Sequence, residues 1–184
     1  MRHNSAIIRV TEMQLVPWRR IADWKCIACG DCCRLYSVVL NFSEWLKIVK
    51  TFGVEQTVSS IDKLYIKRRA DGSCAFLCSY SNAYLCGLQH MKPRACQLWP
   101  FKVLAEPRPG TRKESEFNYA GNKLFVYADC TCRGLTYGIP SWEFTNQTLK
   151  EFVEIALGIR REQYKTTGNF FLGQRVQPRR FSIY

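Results

Sequence analysis

Apolar residues recur along the chain in short groups, and the spacing within each group predicts a different element. Phe42, Trp45, Leu46, Val49 and Phe52 fall at helical intervals, Asn41 and Glu44 form a capping-box pair in front of them, and Gly53 follows where a helix can end. Just before this helix, Leu35 to Leu40 is an apolar, β-branched run suited to a buried strand. Leu64 to Arg69 and Ser73 to Leu77, joined through Ala70-Asp71-Gly72, predict a hairpin, and Phe117 to Tyr119 with Leu124 to Tyr127, joined through Ala120-Gly121-Asn122, predict another. A second helix is expected from Thr148, which pairs with Glu151 as a capping box ahead of Leu149, Phe152, Val153 and Ala156; Gly158 ends or weakens it. Short strands, two main helices and no internal repeat predict a small α+β fold.

Composition narrows the class. The 184 residues are 47% hydrophobic and 14% aromatic, enough for one packed domain. No run approaches the ~18 apolar residues of a membrane span, and the first residues lack the apolar stretch of a secretory signal, so a cytoplasmic protein is expected. We divide the chain into an N-terminal arm (1–23), a central domain (24–164) and a C-terminal arm (165–184). The 27 Lys and Arg exceed the 15 Asp and Glu, giving a formal charge of +12. The excess is spread out, but the last arm stands apart. Lys165, Arg175, Arg179 and Arg180 alternate there with Phe170, Phe171, Phe181 and Tyr184, without one acid.

The ten cysteines change the picture most. Cys26, Cys29, Cys32 and Cys33 fall within the eight residues CIACGDCC. Disulfides closing such short loops would stabilise little, whereas thiolates are good ligands for zinc and for iron–sulfur clusters. Three sulfurs at two-residue intervals can be pointed at one centre by a tight turn, the spacing that opens the ligand run of bacterial-type ferredoxins. Gly30 permits the backbone conformations such a turn needs. Adjacent Cys32 and Cys33 cannot easily face one atom, so one of them serves a second centre or stays free. Cys74, Cys78, Cys86 and Cys96 form a looser second group. Cys130 and Cys132, in DCTCRG, are candidates for late ligands, although alternate residues of a strand point apart and both would reach one metal only from a turn. His90, four residues after Cys86, is a weaker candidate.

CIACGDCC, then GSCAFL, then Cys86 followed by Lys92-Pro93-Arg94-Ala95-Cys96 and Pro100-Phe101, resembles the YkgJ-like cysteine-cluster family, known for a CxxCxxCC motif and described as zinc- or iron-chelating. The resemblance covers Trp24 to Phe101. It implies a cofactor-binding and metal-binding set of Cys26, Cys29, Cys32, Cys33, Cys74, Cys86 and Cys96. Two departures stand out: Lys92-Pro93 replaces the family's common Arg-Pro, and Cys78 is extra. A related module occurs in flagellin lysine methylases, which suggests an enzymatic role by analogy only.

A consecutive triple plus single cysteines favours an iron–sulfur cluster, [4Fe–4S], over the paired C-x2-C units of structural zinc, which remains the alternative. No phosphate loop, dinucleotide fingerprint, HExxH or GxSxG run is present. Asp31 is read as a turn-stabilising residue and Trp18, Trp24 and Trp99 as shields against water. Three functions follow. The first is a redox or electron-transfer protein with a protein partner. The second is a structural metalloprotein docking on RNA or a ribonucleoprotein through Lys67-Arg68-Arg69 and Arg179-Arg180. The third is a cluster-dependent transferase or oxidoreductase acting with a partner.

Overall fold

A computed structural model describes residues 14–81 and 83–164. The basic aromatic arm, residues 165–184, lies outside that range, as do residues 1–13.

The described chain begins with β1 (Leu15–Pro17), a 3-10 turn at Trp18–Arg20 and β2 (Ile21–Trp24), then passes through the first cysteines to α1 (Asp31–Leu35), β3 (Val39–Leu40) and α2 (Phe42–Phe52). Four short strands follow: β4 (Thr57–Ser59), β5 (Leu64–Ile66), β6 (Leu77–Tyr80) and β7 (Ala83–Cys86). The second half contains α3 (Arg94–Leu98), β8 (Phe101–Leu104), α4 (Arg112–Ser115), β9 (Glu116–Tyr119), β10 (Asn122–Asp129) and β11 (Leu135–Tyr137). A π-helical stretch, Phe144–Leu149, runs into α5 (Lys150–Ala156). Strands and helices thus mix without βαβ order, as α+β requires.

The longest strand, β10, is the spine. It pairs antiparallel with β9 along its first half and with β8 and β1 along its second. The β9–β10 turn is Ala120-Gly121, as the hairpin pattern predicts. Residues 14–23, expected to belong to an arm, are built into the body: β1 pairs with β10, β2 pairs with β11, and Trp18 and Ile21 are buried. Two further small sheets, β3-β5-β4 and β6-β7, lie among the cysteine segments.

Two hydrophobic cores result. One gathers Trp18, Ile21, Trp24, Phe101, Val126, Ala128, Phe144, Leu149, Phe152 and Val153, with Phe152 edge-on to Trp24 at 5.1 Å. Its fully buried aromatics each contribute about 1.5–3 kcal/mol through area removed from water. The other is smaller: Leu40, Ile48, Ile66, Cys74, Leu77 and Leu88. Cys26 and Cys132 pack against the first core, whereas Cys33 and Cys86 pack against the second.

α2 spans the predicted residues, with Asn41 Oδ1 accepting from Glu44 N–H and Glu44 Oε2 accepting from Asn41 N–H, both at 2.9 Å. Three expectations are corrected. Leu35 to Leu40 is not one strand: Leu35 ends α1, Tyr36 turns inward, and only Val39 and Leu40 pair. The expected first hairpin is reduced to one bridge between Arg68 and Cys74, because β5 pairs with β3 and β4 while Leu77 begins a hairpin of β6 with β7. The second long helix starts before Thr148. Ser141 Oγ accepts from Phe144 N–H at 3.0 Å, Thr148 is buried inside the helical run, and Glu151 Oε1 accepts from Tyr164 N–H at 2.8 Å rather than forming a cap with Thr148. Among the described residues, no helix is long and apolar enough to cross a membrane.

Candidate metal centre

The first cysteine loop leaves β2 and reverses sharply. Ala28 and Gly30 both have positive φ, 54° and 75°, and Gly30 leads directly into α1. A Cβ on Gly30 would lie 2.8 Å from Tyr84 Cβ, so a side chain there is excluded by crowding as well as by conformation. The carbonyl of Ala28 accepts from Tyr84 N–H at 2.7 Å, which ties the loop to β7. Arg34 closes it from outside, donating to the Cys29 carbonyl while its guanidinium lies 4.0 Å from the Tyr84 ring centre.

A second turn arrives from the end of β10. Asp129 is fully buried, and its carboxylate accepts from Tyr36 OH at 2.8 Å and from Thr131 N–H and Oγ1 at 2.9 and 2.7 Å. With the Asp129 carbonyl accepting from Cys132 N–H, this network turns Cys130 and Cys132 to different sides. Cys130 Sγ faces Gln14 Oε1 at 3.4 Å. Cys132 Sγ points inward and accepts from Trp24 Nε1 at 3.4 Å. Gly134 presses against the first loop so closely that a Cβ would stand 2.2 Å from the Lys25 carbonyl. Outside, Arg133 grips Asp31 with two hydrogen bonds, at 2.7 and 3.2 Å. An exposed pair of this kind adds little stability, so its importance is to hold the two turns in register.

Between these turns, β7 and α3 lies a cavity of about 140 Å³. Its wall includes eight cysteines: Cys26, Cys29, Cys32, Cys33, Cys74, Cys86, Cys96 and Cys132. All seven residues expected from the motif resemblance are therefore brought to one space, and Cys132 joins them. Cys78 is exposed on β6, Cys130 faces away, and neither Cys78, Cys130 nor His90 lines the cavity. Trp24 and Trp99 are in the wall, whereas Trp18 sits in the first core with its Nε1 donating to the Glu116 carbonyl. Among the described residues, no three Cys, His, Asp or Glu side chains already form a closed metal-binding group; the sulfurs ring the space. The donor set is nevertheless the soft one that suits zinc or iron–sulfur centres.

The local backbone treats four of these sulfurs alike. The backbone N–H groups of Ala28, Phe76, Leu88 and Gly134 lie near the sulfur two residues earlier, on Cys26, Cys74, Cys86 and Cys132, and work to lower its pKa. An N–H aimed at sulfur favours the thiolate and, with a metal present, moderates its charge. Sequence reasoning did not find this pattern. Gly134, two residues after Cys132, was the available sign that Cys132 rather than Cys130 turns inward.

Burial acts against ionisation. It raises the Cys26, Cys86 and Cys132 thiols above their ordinary range and Cys96 well above it. Cys33 stands between Cys32 and Cys74 as a thiol donor. Its hydrogen bonds push its own ionisation up, lower that of Cys32, and bring Cys74 down to about 7. The positive run Lys67-Arg68-Arg69 is partly turned to internal use: Arg68 donates to the Arg34 and Tyr36 carbonyls and Arg69 to that of Ala75.

The family model described as "putative zinc- or iron-chelating domain", CxxCxxCC, matches residues 25–133, from the residue before Cys26 to the arginine that clamps Asp31. The chain belongs to the CxxCxxCC family. Neither a curated protein nor a solved structure shows a significant match to it. The matched span, residues 25–133, includes all eight wall cysteines, and the domain it describes is a metal-chelating one.

Replacing Cys29, Cys96 or Cys132 by Ser is expected to weaken metal binding by about tenfold or more, while Cys78→Ser and Cys130→Ser leave it unchanged. Metal content and competition with a chromophoric chelator provide the check, and a Cys132→Ser protein with wild-type affinity would remove that residue from the set. The thiol shifts also fix a pH dependence. Five wall thiols hold their protons more tightly than in the unfolded chain and two less tightly, so the raised groups stabilise the metal-free fold fully below about pH 8.5 and cease to do so as pH rises through their folded values. Melting temperatures of the reduced, metal-free protein should therefore fall between about pH 8 and about pH 10, and a rise would contradict the assignment.

Proposed function

We propose that the cysteine ring holds an iron–sulfur cluster, [4Fe–4S] with the Cys26-Cys29-Cys32 triple as its first ligands, and that the protein serves redox or electron transfer. The observation that carries this reading is the convergence of eight sulfurs on one largely apolar cavity, three of them from the consecutive Cys26-Cys29-Cys32 triple where structural zinc takes two separated C-x2-C pairs. The surplus provides for a second centre or for a cluster of higher nuclearity. It also accommodates Cys32 and Cys33, whose sulfurs are 4.0 Å apart on adjacent residues.

A cluster bound there would supply one-electron chemistry. The chain's own contribution is to place the sulfurs, exclude water with Trp24 and Trp99, and aim backbone N–H groups at four thiolates. Hydrogen bonds to sulfur and low solvent access are the protein's means of setting a cluster's reduction potential. Zinc is the alternative that the family description also names.

Anaerobic purification from an iron-replete host decides between them. The expected product is brown, with iron and acid-labile sulfide in comparable amounts and charge-transfer absorption that bleaches on reduction. A colourless protein with stoichiometric zinc and no iron would overturn the iron–sulfur reading and leave the cavity as a structural zinc site.

A further inference from the structure

Among the described residues, the cysteine cavity has one charged side chain in its wall, Lys92. It lies on the segment between the Cys86 strand and α3, half-buried, with Cys86 and Cys96 on either side in sequence. Its Nζ donates to Gln163 Oε1 at 3.4 Å. Gln163 is not part of the CxxCxxCC domain, which ends at residue 133. It reaches the cavity because the chain after α5 folds back as a strap across α3.

The strap is fastened at several points. Arg160 Nε donates to Glu154 Oε2 at 2.7 Å, and Tyr164 N–H donates to Glu151 Oε1 at 2.8 Å. Gln163 Nε2 donates to the Gln97 carbonyl at 2.8 Å, and Gln97 Nε2 donates back to the Arg161 carbonyl at 3.3 Å. With its amide nitrogen fixed on α3, Gln163 presents its carbonyl oxygen to Lys92. That oxygen accepts from an ammonium and holds the cation in position.

The chemistry of the wall explains what a cation there does. Several thiolates on one metal centre leave net negative charge in a space shielded from water, where an unpaired charge is costly. An ammonium in the same wall offsets it. The ion shares one wall with many sulfurs, Cys26, Cys32, Cys86 and Cys96 among them.

We infer that Lys92, positioned by Gln163 of the C-terminal strap, is the built-in counter-charge of the metal centre, so that a segment outside the CxxCxxCC domain sets how tightly that centre binds metal. This rests on the reading of the cavity as a metal site, whether the metal is iron or zinc. Gln163 acts through Lys92 and is a positioning residue.

The test uses zinc(II) as probe on the reduced, full-length protein prepared without oxygen, with dissociation constants from chelator competition. Lys92→Met keeps the length of the side chain and removes its charge, and is expected to weaken binding by about tenfold or more. Lys92→Arg restores the charge and should bind close to wild type. Gln163→Leu keeps Lys92 but frees it, and should fall between wild type and Lys92→Met. Lys50→Met, which removes one exposed charge from α2, should change nothing. Tight zinc binding by the wild type with unaltered binding by Lys92→Met overturns the inference alone. Equal losses in Lys92→Met and Lys92→Arg also overturn it, because they assign the effect to shape rather than charge. A wild-type protein that binds no metal overturns the metal-site reading together with the inference.

Discussion

The constraint that governs this fold is that cysteines packed on two separate hydrophobic cores converge on one cavity. Cys26 and Cys132 belong to the packing of the larger core, and Cys33, Cys74 and Cys86 to the smaller, yet all five line the same cavity. Among the described residues, the smaller core has six buried members. Small cores of this size stabilise weakly, and natural domains commonly add metal or disulfides to them. All ten cysteines are free thiols, and on the function proposed above a metal centre supplies that cross-link. Binding free energy at such a centre becomes folding free energy, because the sulfurs meet only when both cores are formed.

This dependence explains the effort invested in the two turns that carry the sulfurs. Gly30 and Gly134 occupy positions with no room for a side chain, and the buried Asp129 carboxylate fixes the second turn through three hydrogen bonds. The Asp31–Arg133 clamp then joins the turns across the protein surface. Charge is arranged around the same need. Arginines next to the cysteine loops point their guanidinium groups at backbone carbonyls, and Lys92 enters the wall itself. A chain with a formal charge of +12 is suited to holding a cluster of thiolates, whose negative charge the metal only partly cancels.

Local signals were legible in the sequence wherever neighbouring residues alone determined the outcome. The Asn41–Glu44 capping box, the apolar face of α2 and the Ala120-Gly121 turn depend on residues within a few positions, and they stand as the pattern predicts. The grouping of the motif cysteines was legible too, through spacing and family resemblance. What failed depended on distant partners. Leu35 to Leu40 has strand composition, but Tyr36 is drawn away to Asp129, more than ninety positions along the chain, at 2.8 Å. Glu151 could cap a helix but is taken by Tyr164. Cys130 and Cys132 differ by two positions in sequence and by opposite directions in space, a distinction created by the Asp129 turn and by Trp24. The approach of Gln163 to the cavity has no local signature at all.

The central claim is that metal bound in the cysteine cavity joins the two cores, and hydrogen exchange of the metal-free and metal-loaded protein tests it most directly. The account predicts that metal slows exchange at backbone amides of both cores together, at Ile48 and Leu88 on one side and at Val126 and Phe152 on the other. Protection gained in the smaller core alone, with the larger one unchanged, would show that the centre is a local staple and contradict the claim.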